Sequence, residues 1–185
     1  MRKTVIAALV LTVALGVTVE ASSMQAERFI TNAVSMGTVS GSTRLEFVVE
    51  RWTTEEERQN YLRILAEGGN DALVDALHSA EGIGRVRLQN QRSYPLSYAY
   101  QFEAQDGSRR VVLATDRPIG GLEAFSNART LDYSVSIAEL RFDAEENSEG
   151  ALMVGAKIIV DREHNTITLE NFGEAPVRLR NIRSQ

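Results

Sequence analysis

From residue 83 onward, apolar side chains recur at every second position, in one short run after another. A period of two marks strands with one buried face, and several such runs separated by turn residues commit a chain to an antiparallel sheet. "GIGRVRLQN" sets Val86 and Leu88 opposite Arg85 and Arg87. "LSYAYQFEAQDGSRRVVLAT" reads as a hairpin, with Asp106-Gly107 as a two-residue turn in which both residues take positive φ. That turn predicts pairing of Phe102 with Val111, Tyr100 with Leu113 and Tyr98 with Thr115 on one face. On the other face it sets Glu103 against Arg110.

Three further runs follow. In "LDYSVSIAELRFD" the apolar face switches from Tyr133, Val135 and Ile137 to Leu140 and Phe142, which predicts a bulge near Ile137–Ala138. "GALMVGAKIIVD" carries Leu152, Val154, Ala156, Ile158 and Val160 on one side, and Lys157 is expected to reach water over its own stem. "NTITLEN" and "APVRLRNI" end the chain as two short strands.

The earlier part of the chain is mixed. "STRLEFVVERW" is a half-buried strand with Leu45, Phe47 and Val49 inward, and "RFITNAVSMG" is its expected partner, with Gly37 to Gly41 as the turn. Thr54 and Glu57 have capping-box spacing, and Glu55, Glu56 and Glu57 suit the positive end of a helix dipole. Arg58, Tyr61, Leu62 and Leu65 recur at helical spacing before Gly68-Gly69. Asn70 then caps a second stripe of Leu73, Val74 and Leu77. The expectation is a helical hairpin over residues 54–80, followed by strands over about 83–183. The fold class is therefore α+β: an antiparallel meander of seven to nine strands, curved or closed into a barrel, with the hairpin inserted near its start.

The first residues stand apart from this domain. Met1-Arg2-Lys3 is basic, Thr4 to Val19 is apolar and uncharged, and Val19-Glu20-Ala21 offers a cleavage site. Residues 1–21 therefore read as a secretory signal peptide, leaving 22–185 as one domain in the periplasm or outside the cell. The apolar run falls short of a bilayer span, so no membrane anchor is expected to be retained. Losing Arg2, Lys3 and Glu20 takes the formal charge from −5 to −6. An acidic chain argues against nucleic acid as a partner. The chain has no cysteine, hence no disulfide framework and no thiol nucleophile.

Candidate chemistry is sparse. Asp116-Arg117-Pro118 closes a strand, and a long irregular segment follows, so Asp116, Arg117, Arg129 and Asp132 are placed to line the mouth of a site. A proline that ends ladder pairing, preceded by a turn-forming aspartate, accounts for the same stretch as a simple stop. Tyr98, Tyr100 and Phe102 share one strand face and suit either a core or the wall of an apolar pocket. Arg85 and Arg87 on one strand and Arg178 and Arg180 on another would hold a phosphate or carboxylate if those strands were neighbours; a solvated face is the alternative. "DAEENSEG" spaces oxygens as calcium loops do but has Ser148 where the bend glycine belongs, so an acidic turn is the default. His78 and His164 lie far apart without ligand spacing, and no nucleophile elbow, phosphate loop or dinucleotide fingerprint is present. No metal or cofactor is expected.

At "VVERWTTEEER", "ATDRPIGG", "ARTLDYSVSIAELRFD" and "AKIIVDREHNTITLENFGEAPVRL" the chain resembles a group of small exported bacterial proteins of unassigned function. The resemblance covers most of the mature chain. It implies export and a single domain, and transfers no site residue. The expectation is a non-enzymatic binding or envelope-associated accessory module, its partner a small molecule or an envelope protein. The alternatives are a hydrolase of envelope material using paired carboxylates, and a partner-binding module using a sheet edge such as "PVRLRNI".

Overall fold

The computed structural model describes residues 25–34, 41–119, 135–143, 145, 147–161, 166–171 and 176–185. Strand β1 (Glu27–Val34) pairs with β2 (Ser42–Val49), and helix α1 (Glu55–Ser79) follows. Then come β3 (Gly84–Leu88), β4 (Ser93–Leu96), β5 (Tyr98–Glu103), β6 (Arg109–Thr115), β7 (Val135–Phe142), β8 (Ser148–Asp161), β9 (Thr166–Asn171) and β10 (Val177–Ser184). All pairings are antiparallel, in the order β4-β3-β2-β1-β10-β8-β7-β6-β5, with β9 beside β8. The strands thus form a nearly closed barrel of nine, with β9 and β10 on successive halves of one edge of β8. Among the described residues no helix is long and apolar enough to cross a membrane.

The seam lies between β4 and β5, which only Ser97 separates. The Ser97 amide donates to Ala114 O at 3.0 Å. Thr53, on the way into α1, donates its amide to Ala99 O at 2.8 Å and accepts the Ala99 amide on its hydroxyl at 3.0 Å. The chain between β2 and α1 therefore covers the backbone groups that a gap in the ladder would leave bare.

Alternation decides what fills the barrel. Phe29, Leu45, Phe47, Val49, Val86, Leu88, Val111, Leu113, Leu140, Leu152 and Leu179 all point inward and are buried. One cross-strand row reads Phe29, Phe47, Val86, Tyr94. Arg109 closes one end: its guanidinium binds Glu27 and lies over the rings of Phe29 and Phe142, 5.8 and 5.5 Å from their centres. The lumen is a packed core.

Several expectations change. The helical hairpin over 54–80 is instead one helical element, interrupted at Gly69, the single non-helical residue inside it (φ 75°). No loop separates two helices, and Asn70, expected to cap the second, accepts the Ile158 amide of β8 at 3.0 Å. The capping box at Thr54 and Glu57 is present as expected, with bonds of 2.7 and 3.2 Å.

The β5–β6 hairpin is one residue out of the expected register. Phe102 pairs with Arg110, Tyr100 with Val112, Tyr98 with Ala114, and Glu103 with Arg109. Ala104 and Ser108 close the loop, so it holds three residues, and only Gly107 (φ 74°) is left-handed. That is a type I turn followed by a glycine bulge. A one-residue slip exchanges the faces, so Tyr98, Tyr100 and Phe102 share the outer face with Ala114 and Val112, away from the lumen.

The bulge expected in β7 has its extra residue on β8. Between Val135 and Ile137 the partner advances from Ala156 to Met153, and Gly155 there takes φ 70°. The inserted residue reverses which side points inward. Leu152 and Val154 face the barrel core, whereas Ile158 faces α1. The expected single face from Leu152 to Val160 is therefore divided. Val135 and Ile137 are apolar because α1 covers the outside of the barrel at that point. Lys157 is exposed, as expected. Strand β10 pairs with β1 along most of its length and with β8 over Val177–Arg180.

Candidate functional site

The helix lies on the outer face of β5 to β8. Leu65, Leu73 and Leu77 of α1 are buried against Ala114 and Val135, with Tyr61, Tyr98, Ile137 and Ile158 packed around them. These side chains do not fill the space between helix and wall. A cavity of about 130 Å³ remains, bordered by Tyr61, Leu65, Leu73, Leu77, Tyr98 and Ile137 among others. Its surface is almost wholly carbon.

The ionisable groups at its border are neutralised or kept neutral. Arg58 forms two hydrogen bonds of 2.7 Å with Glu55, and Arg110 holds Glu139 at 2.7 Å. Burial pushes the Tyr98 phenol well above its ordinary range. The hydrogen bond from Arg58, assisted by Gln59 and Tyr100, outweighs burial and holds Glu55 at about 2.

The aromatic stripe of β5 leads out of this cavity. Tyr61 meets Tyr98 edge-on at 6.0 Å, and the Tyr98–Tyr100 and Tyr100–Phe102 ring centres are each 6.4 Å apart. Arg58 lies 5.2 Å above the Tyr100 ring, and the Tyr100 hydroxyl donates to Glu55 at 3.0 Å. Of the three aromatic candidates only Tyr98 borders the cavity; Tyr100 and Phe102 continue along the outer wall.

Asp116 and Arg117 make a braced turn. Arg117 grips the Asp116 carboxylate through Nε at 2.8 Å and through a terminal nitrogen at 2.7 Å. The hydroxyls of Thr115 and Ser136 both donate to Arg117 O. His78, in the last turn of α1, places Nδ1 2.6 Å from Asp116 Oδ2. The carboxylate is 3% exposed and the imidazole 69%. Asp116 therefore ties the end of the helix to the end of β6, beside Leu77 of the cavity wall. Sequence reasoning missed His78, because nothing local to either residue links positions 38 apart. Arg129 and Asp132 lie outside the described residues, as do the expected signal peptide, residues 37–40 of the expected Gly37–Gly41 turn, and His164.

Arg117 holds the Asp116 carboxyl below the ordinary carboxylate range; burial opposes this and His78 assists. A depressed pKa stabilises the fold above the unfolded value, roughly 3.9, and that contribution is lost as pH falls through the folded value. Asp116→Asn is therefore expected to destabilise the protein at neutral pH, with the deficit narrowing below about pH 4. Urea unfolding at about pH 6 and about pH 2.5 checks this. An unchanged deficit would show that Asp116 acts without its charge.

The four-arginine cluster does not form. Strands β1 and β2 separate β3 from β10, so the two pairs stand roughly 14 Å apart. Arg85 binds Glu50 and Arg87 binds Glu46, whereas Arg178 and Arg180 have no carboxylate partner among the described residues. In "DAEENSEG" the Asp143 carboxylate is occupied: it accepts the backbone amides of Glu145 and Asn147 at 3.1 and 2.7 Å and the Asn147 side-chain amide at 2.8 Å. Among the described residues no group of three or more His, Cys, Asp or Glu is placed to hold a metal ion.

No family model matches the chain, and no curated protein and no solved structure matches it. The class of molecule therefore rests on its own geometry: a nearly closed antiparallel barrel with a filled lumen and an apolar cleft between its outer wall and one kinked helix.

Proposed function

We propose that the protein is a non-enzymatic binding module that takes a slender apolar group, an aryl ring or an alkyl segment, between α1 and the barrel wall. The observation that carries this is the unfilled, almost purely apolar cavity of about 130 Å³. Apolar cavities of roughly 150 Å³ stay dry and accept benzene-sized guests. A ligand entering along Tyr98 and Tyr100 would keep a polar end beside Arg58 and Glu55. The basic start and apolar run of residues 1–21 support export, with the module working in the periplasm or outside the cell.

The hydrolase reading requires an acid with a raised pKa in a cleft. Among the described residues every carboxylate with a shifted pKa is shifted down. The cavity therefore favours binding over paired-carboxylate chemistry.

Methyl NMR tests the proposal by titrating the protein with toluene and with decanoate. Saturable shifts are expected at Leu65, Leu73, Leu77 and Ile137. Ala114→Leu, which replaces a methyl with an isobutyl group on the outer wall, should abolish them while the protein stays folded. Absence of saturable shifts, or shifts that survive Ala114→Leu, would overturn the reading.

A further inference from the structure

The arginines of this chain fall into two populations. Over most of the molecule each guanidinium has a carboxylate: Arg28 and Arg87 share Glu46, Arg109 holds Glu27, Arg110 holds Glu139 and Arg117 holds Asp116. Arg44, Arg63, Arg92, Arg178, Arg180 and Arg183 have no such partner among the described residues, although the chain carries more acids than bases, and four of these six lie on β2 and β10.

Register gathers them. Asn32 of β1 lies opposite Arg180 of β10 on one side and opposite Arg44 of β2 on the other. Opposed residues of a ladder share a face, and Arg44 and Arg180 are exposed. One outer row therefore reads Glu149, Arg180, Asn32, Arg44; Glu149 turns to Arg141 at 3.6 Å, and the two arginines of the row stand two strand spacings, about 10 Å, apart, within reach of each other's side chains. Beside this row the β1–β10 ladder slips between Ile30 and Asn32, and Asn181 takes φ 54°. A hollow of about 280 Å³ lies there, bordered by Arg44, Arg183, Asn32, Asn181 and Gln185 together with Ile30 and Thr31. No Asp or Glu side chain borders it among the described residues. The backbone oxygen of Gln185 is engaged by the Arg28 amide at 3.0 Å.

We propose that this hollow, with Arg44 and Arg183 at its border and Arg180 beside it, is a binding site for a phosphate group. Planar guanidinium forks match phosphate oxygens two at a time, and the amides of Asn32 and Asn181 add uncharged donors. Several unpaired cations around one hollow repel one another, which favours a doubly charged anion over a single carboxylate. The site is built on β10, β1 and β2, so it stands whether or not the groove under α1 binds an apolar ligand.

Titration of the full chain with inorganic phosphate at low ionic strength, followed by the side-chain amide signals of Asn32 and Asn181, tests the proposal. Saturable shifts are expected. The double variant Arg44→Gln/Arg183→Gln should weaken binding at least tenfold with an unchanged melting temperature, because neither side chain has a carboxylate partner among the described residues. Arg63→Gln, an exposed arginine on α1, should leave binding unaltered. No saturable shift, or equal affinity in the double variant, would overturn the site. Sedimentation with vesicles of phosphatidylcholine and phosphatidic acid separates the sources. Co-sedimentation displaced by phosphate assigns a lipid headgroup; phosphate binding without co-sedimentation assigns a soluble phosphate.

Discussion

Phe47→Ala is expected to remove about 3–5 kcal/mol of stability, the range for emptying a buried aromatic position in a core that cannot collapse. Phe47 is 1% exposed on β2, between Phe29 of β1 and Val86 of β3 in one inward-facing row. The walls on either side are held by ladder pairing, so they cannot move in to refill the space. Urea denaturation of the two proteins measures the difference. The result also bears on function, because a barrel that carried its ligand inside would tolerate a smaller residue there. A loss under about 1 kcal/mol would mean that the lumen is loosely filled, and attention would return to the barrel interior as a binding site.

Gly84→Ala is expected to destabilise by at least the upper end of the roughly 1–3 kcal/mol typical of over-packing. A Cβ at Gly84 would lie 2.1 Å from the Val48 carbonyl oxygen, 3.1 Å from its carbon and 3.2 Å from the Val49 Cα. All three are backbone atoms, so no side chain can rotate away. Relief requires β2 and β3 to separate where the amides of Glu50 and Arg51 both donate to Ile83 O, at 2.9 and 3.1 Å. That doubled contact leads the chain from β2 towards Thr53 and the seam. The barrel closure and the start of α1 would therefore be disturbed together. Thermal unfolding followed by circular dichroism reads the effect. A melting temperature within a few degrees of the parent would show that the strands can part at little cost.

Both experiments concern the frame; the groove and the phosphate site lie on its outside. With the lumen packed and one end closed by Arg109 and Glu27, the outer wall is the surface left to carry chemistry. The cavity lies there between the barrel wall and α1, which is kinked at Gly69 and turns Leu65, Leu73 and Leu77 towards it.

Much of the architecture is written in local patterns. Alternation in "STRLEFVV" alone places Leu45, Phe47 and Val49 inward, and they are buried. Thr54 and Glu57 alone specify where α1 begins. The apolar stripe of Tyr61, Leu65, Leu73 and Leu77, which becomes one wall of the groove, was equally legible. These features survive because they depend on neighbours a few residues away, and the chemistry of those neighbours is present in the string.

What tertiary structure alone decided depends on parity and on pairing at a distance. A single residue in the Ala104–Ser108 loop determines whether Tyr98, Tyr100 and Phe102 look into the barrel or out towards α1, and Gly155 reverses β8 in the same way. Periodicity states which residues share a face but not which face is covered. Val135 and Ile137 thus resembled a register fault until the helix was seen to bury them. The insertion of β10 between β1 and β8 divided the expected arginine cluster and assembled another around Asn32. His78 met Asp116 only through the docking of α1. Each of these outcomes follows from a contact between segments remote in the chain, whose energy is set by the whole barrel and leaves no mark on either segment alone.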